Sequence, residues 1–368
     1  MRLLIFFMLS LLVLADSCVD RLYIADPEAA GQLVVEGSIT DEPGPYTIKL
    51  SRATGIGGKL TQLKTVSANR VTIFDNLGNS EILQPVVDGT YQTSPGGIQG
   101  VIGRDYYIRL ETRDGKVYES TPEKITPPGK VDSVYFQFVS SLSSDGTTQY
   151  GFKIFANTSG DPSGENLFRW RFTGTYRVVT HPELQSDPAG EGRVPNPPAC
   201  SGYIYVQGLF ENVGPCECCT CWPNIINSQI NLSDNNLSST GKYTATAMGY
   251  VPVEYWTFYD KVMVTVKQMS LSQSAFNYWK IVRDQLGGAT SLFQPSIGKA
   301  KSNIYLKDGN EEVQGYFYAA GIAKKVLFIN VSDIPLGPGI IPKAGPSIEK
   351  SCLAAFPNSS NQQPADWK

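Results

Sequence analysis

Residues 46–52 read Tyr-Thr-Ile-Lys-Leu-Ser-Arg, and this strict alternation constrains the fold more than any other feature of the chain. Tyr46, Ile48 and Leu50 fall on one face and Thr47, Lys49 and Ser51 on the other, the period of a half-buried antiparallel strand. The segment Asp41-Glu42-Pro43-Gly44-Pro45 supplies the turn that feeds it. Residues 33–37, 70–75 and 106–112 have the same strand character. Arg113-Asp114-Gly115-Lys116 then turns the chain into Val117-Tyr118-Glu119, an Asp-Gly hairpin signal. Short strands at this spacing, with no helical stretch between them, predict an Ig-like β-sandwich over residues 31–128. Thr126-Pro127-Pro128-Gly129-Lys130 reads as a linker, because two prolines and a glycine do not continue a central strand.

Strand signals resume at 134–139, 150–156 and 167–179. In the last of these, Phe168, Trp170 and Phe172 alternate with Arg169, Arg171 and Thr173. Val262, Val264 and Val266 share a face in 261–267, and strand character returns at 302–306 and 312–331. One helix is expected over 271–286: Ser270, Ser272 and Ser274 offer N-caps, Phe276, Trp279, Val282 and Leu286 fall roughly on one face, and Gly287-Gly288 stops it. Its aromatic residues are read as core packing rather than as a ligand platform. Residues 182–198, polar and rich in proline, are expected to form a surface loop. The predicted fold is thus mainly β: the N-terminal Ig-like sandwich, then a larger β-rich (α+β) domain over 131–350 with one amphipathic helix and a Cys-rich loop at 182–222, then a C-terminal tail at 351–368.

The first seventeen residues are of another kind. Arg2 precedes an apolar run at 3–15 that is too short to span a bilayer, and Asp16-Ser17-Cys18 follows. This is a secretory signal of lipoprotein type over 1–17. Cys18 is the residue to be acylated, and 18–30 form a polar tether. The alternative is cleavage near Ala15 or Ser17, which leaves Cys18 a plain thiol. An acylated Cys18 anchors the protein, since each buried acyl CH₂ contributes about 0.8 kcal/mol and stable attachment takes more than one chain.

Six further cysteines are Cys200, Cys216, Cys218, Cys219, Cys221 and Cys352. In an exported chain an even count points to disulfides. A bond between the adjacent Cys218 and Cys219 would be strained, and at least one cluster cysteine is expected to reach outward to Cys200 or Cys352. Such a link staples the long loop to the domain body. Two other readings stay open at this stage. One is a zinc or copper site built from the cluster thiolates, although structural zinc sites usually use two separated Cys pairs. The C-x-x-C spacings at Cys216–Cys219 and Cys218–Cys221 are those of redox motifs, here without a βαβ context.

Composition narrows the function classes. A net charge of −3 without any basic block argues against nucleic acid as a partner. A single histidine, His181, removes most His-dependent catalysis and His-rich metal sites; its place before Pro182 marks a strand end. No nucleophile elbow, phosphate loop or dinucleotide fingerprint occurs, so no catalytic residue, cofactor or metal ligand is assigned. Tyr203, Tyr205 and Trp222 are candidates for stacking on a sugar, with core packing as the alternative.

Several segments, taken in order, resemble one family. Leu33-Val34-Val35-Glu36-Gly37-Ser38-Ile39-Thr40-Asp41-Glu42-Pro43-Gly44-Pro45-Tyr46, with Leu50-Ser51-Arg52 after it, looks like the N-terminal signature of the Bacteroidota lipoproteins known as domain of unknown function 4249. Cys221-Trp222, Ala275-Phe276-Asn277-Tyr278-Trp279, Ser302-Asn303-Ile304, Gly315-Tyr316-Phe317 and Pro364-Ala365-Asp366-Trp367 are similar to later segments of that family. The dense C-x-C-C-x-C is richer than its usual pattern, and Cys352 stands alone where relatives often carry a pair. The resemblance implies an envelope lipoprotein, often encoded beside a TonB-dependent outer-membrane transporter, with no established enzyme activity. The expected function is that of a lipid-anchored outer-membrane accessory or binding protein partnering such a transporter in nutrient uptake. The alternatives are a structural or adhesive surface lipoprotein, or a carboxylate-dependent glycan hydrolase.

Overall fold

Tyr46, Ile48 and Leu50 are buried while Lys49 is exposed, so the alternation at the start of the chain becomes one face of a sheet. The computed structural model describes residues 31–368 apart from 57–58, 162–164, 228, 234–240, 289–298, 337–339 and 341–346. The leader, the tether and Cys18 therefore lie outside the described residues.

The protein is mainly β, built as two sandwiches. In the first, a six-stranded sheet runs Val313–Ala320, Leu33–Thr40, Thr47–Ile56, Thr90–Gln92, Gln84–Val87, with Lys59–Thr65 also paired to Thr47–Ile56. The facing sheet runs Ile304–Leu306, Val117–Ser120, Asp105–Thr112, Ala68–Asp75, Ser80–Ile82. Leu33, Val35, Ile48 and Leu50 from one sheet meet Val71, Ile73, Tyr106, Ile108 and Leu110 from the other in a single core. Within Asp105–Thr112 every second residue is buried, as its sequence alternation requires. Asp114-Gly115 makes the expected hairpin turn, with Gly115 at φ +80°.

The second sandwich stacks the sheet Lys130–Leu142, Thr148–Ser159, Lys242–Pro252 on a larger one. That larger sheet is ordered Val178–Val179, Thr220–Ile226, Phe168–Tyr176, Lys261–Ser270, Ile322–Asn330. Its core holds Phe152 and Ile154 from the first sheet, and Phe168, Trp170, Phe172, Val262, Val264 and Val266 from the second. The valine stripe at 262–266 and the aromatic stripe at 168–172 thus point the same way, leaving Arg169 and Arg171 on the opposite face.

The chain leaves the first sandwich at the Thr126–Lys130 linker but returns to it. Val313–Ala320 pairs in parallel with Leu33–Thr40, from Leu33 opposite Val313 to Thr40 opposite Ala320. Ile304 and Phe317 sit in the first core. One residue past Ala320 the chain passes Gly321 and enters the second sandwich as Ile322–Asn330. Where one strand signal at 312–331 was expected, two strands in two sheets are found. A Cβ at Gly321 would lie 2.5 Å from the Thr126 carbonyl oxygen, so only glycine passes between the linker and the strand.

Buried polar groups tie this crossing. Ser270 Oγ donates to the Thr126 carbonyl and accepts the Gly321 N–H at 3.0 Å. Gln268, fully buried, accepts from Trp170 Nε1 at 2.8 Å and donates to the carbonyls of Pro128 at 2.7 Å and Ser159 at 3.1 Å. Asp41 accepts the Ile322 N–H at 2.7 Å, and Lys267 forms an ion pair with Glu42. With its donors and acceptors satisfied, such a network holds the linker in one arrangement.

Helix α1 spans Gln273–Gly288, starting two residues later than the sequence suggests. Ser272 caps it, Oγ accepting the Ala275 N–H at 3.1 Å. The helix lies over the junction, with Ala275, Phe276, Tyr278 and Trp279 packed against Met269, Leu271, Tyr316 and Tyr318. Of the expected apolar face, Phe276 and Trp279 pack inward while Leu286 is 61% exposed, and Ala275 and Tyr278 join the packed side. No helix among the described residues is long and apolar enough to cross a membrane.

Candidate functional site

Three elements meet imperfectly at the junction and leave a cleft of about 290 Å³. The outer face of one sheet of the first sandwich contributes Glu36 and Ser38 from Leu33–Thr40, Lys49 from Thr47–Ile56, and Tyr316 and Tyr318 from Val313–Ala320. Phe168–Tyr176 of the second sandwich contributes Arg169 and Arg171, two positions apart and hence on one face. Helix α1 closes the third side with Tyr278 and Trp279.

The aromatic wall is a connected set. Tyr278 stands edge-on to Trp279 at 5.4 Å between centroids and lies 4.6 Å from Tyr316, while Trp279 meets Tyr318 edge-on at 5.9 Å. The Arg169 guanidinium lies 3.7 Å above the Trp279 ring centre, a close cation–π contact. Burial lowers the Arg169 pKa, and the Tyr318 and Tyr278 phenols beside it work in the other direction. An arginine nonetheless remains cationic throughout the physiological range. Burial raises the Tyr278 pKa, with the Glu36 carboxylate adding to it. Burial likewise raises that of Tyr316, whose hydroxyl donates to Glu123 Oε1 at 2.7 Å. Both phenols therefore remain protonated at neutral pH and act as neutral donors.

Behind the wall, Glu123 is 1% exposed and accepts from Tyr316, from Ser274 Oγ at 3.0 Å and from Ser272 Oγ. It anchors the N-terminus of α1 to the first sandwich, where the helix dipole favours a carboxylate. Asp75, the other deeply buried carboxylate among the described residues, closes a turn through Leu77, Asn79 and Arg104. Both have structural partners, and neither belongs to an apposed pair of carboxylates lining the cleft, the arrangement a glycan hydrolase needs.

The six cysteines form the bonds Cys200–Cys218, Cys216–Cys219 and Cys221–Cys352. Two cluster cysteines reach outward, one to each of the distant partners the spacing offered, and the metal and redox readings lose their free thiolates. Cys221 and Cys352 are fully buried beside Val178. Their bond fixes a short helix, Cys352–Ala355, and a strand, Ser359–Ser360, which pairs with Trp222-Pro223. The segment expected as a tail is thus docked: Trp367 packs edge-on against Trp222 and Phe328, and Asp366 pairs with Lys324. The expected 182–198 loop contains a hairpin, Ser186–Ala189 with Gly192–Pro195, and a second hairpin, Tyr203–Val206 with Leu209–Asn212, follows.

The sequence-proposed sugar-stacking residues are not in the cleft. Trp222 is buried under Trp367, and Tyr205 packs on Phe210 within the second hairpin, which also carries Tyr203. His181 follows the strand Val178–Val179 and pairs with Glu183 at 2.9 Å. The α1 aromatics do both jobs weighed for them: they pack, and they line the cleft. Arg169 and Arg171 were visible as the outward half of an alternating strand. Nothing in the sequence said that a helix a hundred residues later would roof them.

A two-sandwich β-protein with a disulfide-stapled lobe and an aromatic, cation-lined cleft at its junction is the class these features define. The model of the family described as "Domain of unknown function (DUF4249)" matches residues 22–326, and the chain belongs to that family. No curated protein matches it significantly.

Proposed function

We propose that this chain is a lipid-anchored accessory binding protein of the bacterial outer membrane that holds a ligand between its two sandwiches and works beside a TonB-dependent transporter in nutrient uptake. The observation that carries the binding role is the junction cleft: its walls come from both sandwiches and α1, and the crossing beneath it is fixed by buried hydrogen bonds, so the site is preformed. Three disulfides support an oxidising compartment, and the leader over 1–17 with Cys18 directly after it supports an acyl anchor. The transporter partnership rests on the family resemblance of the sequence.

The structural or adhesive alternative has one observation in its favour. The stapled hairpin exposes Ile204, Val206, Leu209 and Phe210, with Val213 just beyond it, a run of apolar side chains suited to another protein surface. Affinity purification of the full chain from detergent-solubilised outer membrane separates the readings. A TonB-dependent channel should co-purify, and Cys18→Ala should shift the protein out of the membrane fraction. Recovery of the protein alone defeats the partnership, and an unchanged distribution of Cys18→Ala defeats the anchor.

A further inference from the structure

The charges around the junction cleft do not follow those of the chain. The protein as a whole carries −3, yet the cleft gathers Arg169, Arg171 and Lys49 against one carboxylate, Glu36. Glu36 and Lys49 stand directly opposite in the pairing of their strands, so they offset one another and leave the two arginines as the net charge. Elsewhere near the junction, two lysines have partners: Lys267 pairs with Glu42 and Lys324 with Asp366. Arg169 and Arg171 form no ion pair among the described residues. Arg169 is half-buried, where an unneutralised cation is costly, and the Trp279 face holds its guanidinium in place. Beside it, the Trp279 indole Nε1 is buried with no acceptor among the described residues.

We propose that this cleft binds a small ring-bearing organic oxyanion (a carboxylate, sulfate or phosphate carried on one ring), clamped by Arg169 and Arg171 and with its ring against Tyr278 and Trp279. Planar guanidinium forks match such oxyanions bidentately. Two arginines at alternate positions of one strand lie roughly 6–7 Å apart along it, a spacing that brackets a single anionic group. Glu36, Ser38 and the Tyr278 hydroxyl supply polar partners for ring substituents. A cleft of about 290 Å³ limits the ligand to one or two rings.

This inference rests on the cleft being the binding site and not on the transporter partnership. Calorimetric titration of the full chain in detergent tests it with galacturonate, glucose 6-phosphate and benzoate, against neutral galactose and inorganic phosphate. At least one ring oxyanion is expected to bind about tenfold or more tightly than both galactose and inorganic phosphate, and less tightly as salt is raised. Which one binds tells a sugar acid from a sugar phosphate or an aromatic acid. Arg171 is exposed, so Arg171→Gln should leave the melting temperature unchanged and weaken binding about tenfold, the scale of one charge-assisted hydrogen bond. Glu36→Gln should tighten it a few-fold by removing the opposing charge, a response that a merely structural role for Glu36 would not give. Equal binding of galactose, equal binding of inorganic phosphate, or no binding of any ring oxyanion by natively melting protein would each overturn the proposal. Oxyanion binding without a co-purifying channel would leave it standing and defeat only the partnership.

Discussion

Asp75 shows how a single buried charge is kept in this fold. Burial by itself would raise its pKa. The Asn79 side chain at 2.8 Å, the N–H groups of Asn79 and Leu77, and Arg104 at 3.2 Å together pull it below the ordinary value of 3.8. A carboxyl whose folded pKa lies below its unfolded one contributes stability above the unfolded pKa and loses it as pH falls through the folded value. Asp75→Ala should therefore cost about 2–3 kcal/mol near neutral pH, the toll of stranding several donors. In urea titrations the gap from the native protein should narrow steadily below about pH 4. A gap independent of pH would mean that packing, not charge, is what the residue supplies. Gly315 is constrained by backbone rather than charge. At φ +83° it lies opposite Val35, and a Cβ there would meet the Val35 carbonyl oxygen. Gly315→Ala should cost about 3 kcal/mol, combining left-handed strain with loss of close strand approach, seen as a lowered urea midpoint. The sequence offers Gly315 only as a glycine within a strand signal. Its requirement becomes visible once the partner strand, some 280 residues earlier, is known.

The elements most legible in the sequence are those whose two faces meet different surroundings. Alternation located 47–52, 106–112, 168–172 and 262–266 because one side of each meets a core and the other meets solvent or a polar surface. The hairpin at Asp114-Gly115 was legible because its turn chemistry is local. Pairing across the chain was not, since a parallel strand fits wherever an apolar face awaits it, and period-2 patterning carries no address. Helix α1 lies between these cases. Its start could be read from the serines, but its docking depends on Glu123, which belongs to the first sandwich. This makes an unusual prediction for a helix cap. Aspartate is ordinarily as good an N-cap as serine, yet Ser272 Oγ also donates to the buried Glu123 carboxylate. Ser272→Ala should cost about 1–2 kcal/mol. Ser272→Asp should be the worse of the two, because it sets a second carboxylate against a buried one. If thermal melts rank aspartate above alanine, Glu123 is not the group that seats the helix.

At the scale of the molecule, the three disulfides constrain very different lengths of chain. Cysteine counting limited their pattern but did not select it, because connectivity depends on which strands the fold brings together. Cys216–Cys219 closes a separation of 3 residues, Cys200–Cys218 of 18, and Cys221–Cys352 of 131. If a bond acts mainly by restricting the unfolded chain, its contribution grows with the logarithm of that separation, from about 2 kcal/mol for the shortest to about 4–5 kcal/mol for the longest. The longest bond also pins the segment that carries Trp367 against Trp222 and Phe328, and Asp366 against Lys324. Those contacts are exposed at their rim and contribute little alone, so their order depends on the covalent tie. The double variant Cys221→Ala/Cys352→Ala should therefore lose about 4 kcal/mol in urea unfolding under oxidising conditions, and limited proteolysis should release residues beyond 352 before the sandwiches are cut. Cys216→Ala/Cys219→Ala should lose about 2 kcal/mol or less and leave that segment protected. Equal losses from the two pairs would show that the cluster is a rigid knot whose local geometry outweighs chain entropy. Unequal losses in the expected order would identify the Cys221–Cys352 bond as what holds the end of the chain to the second sandwich.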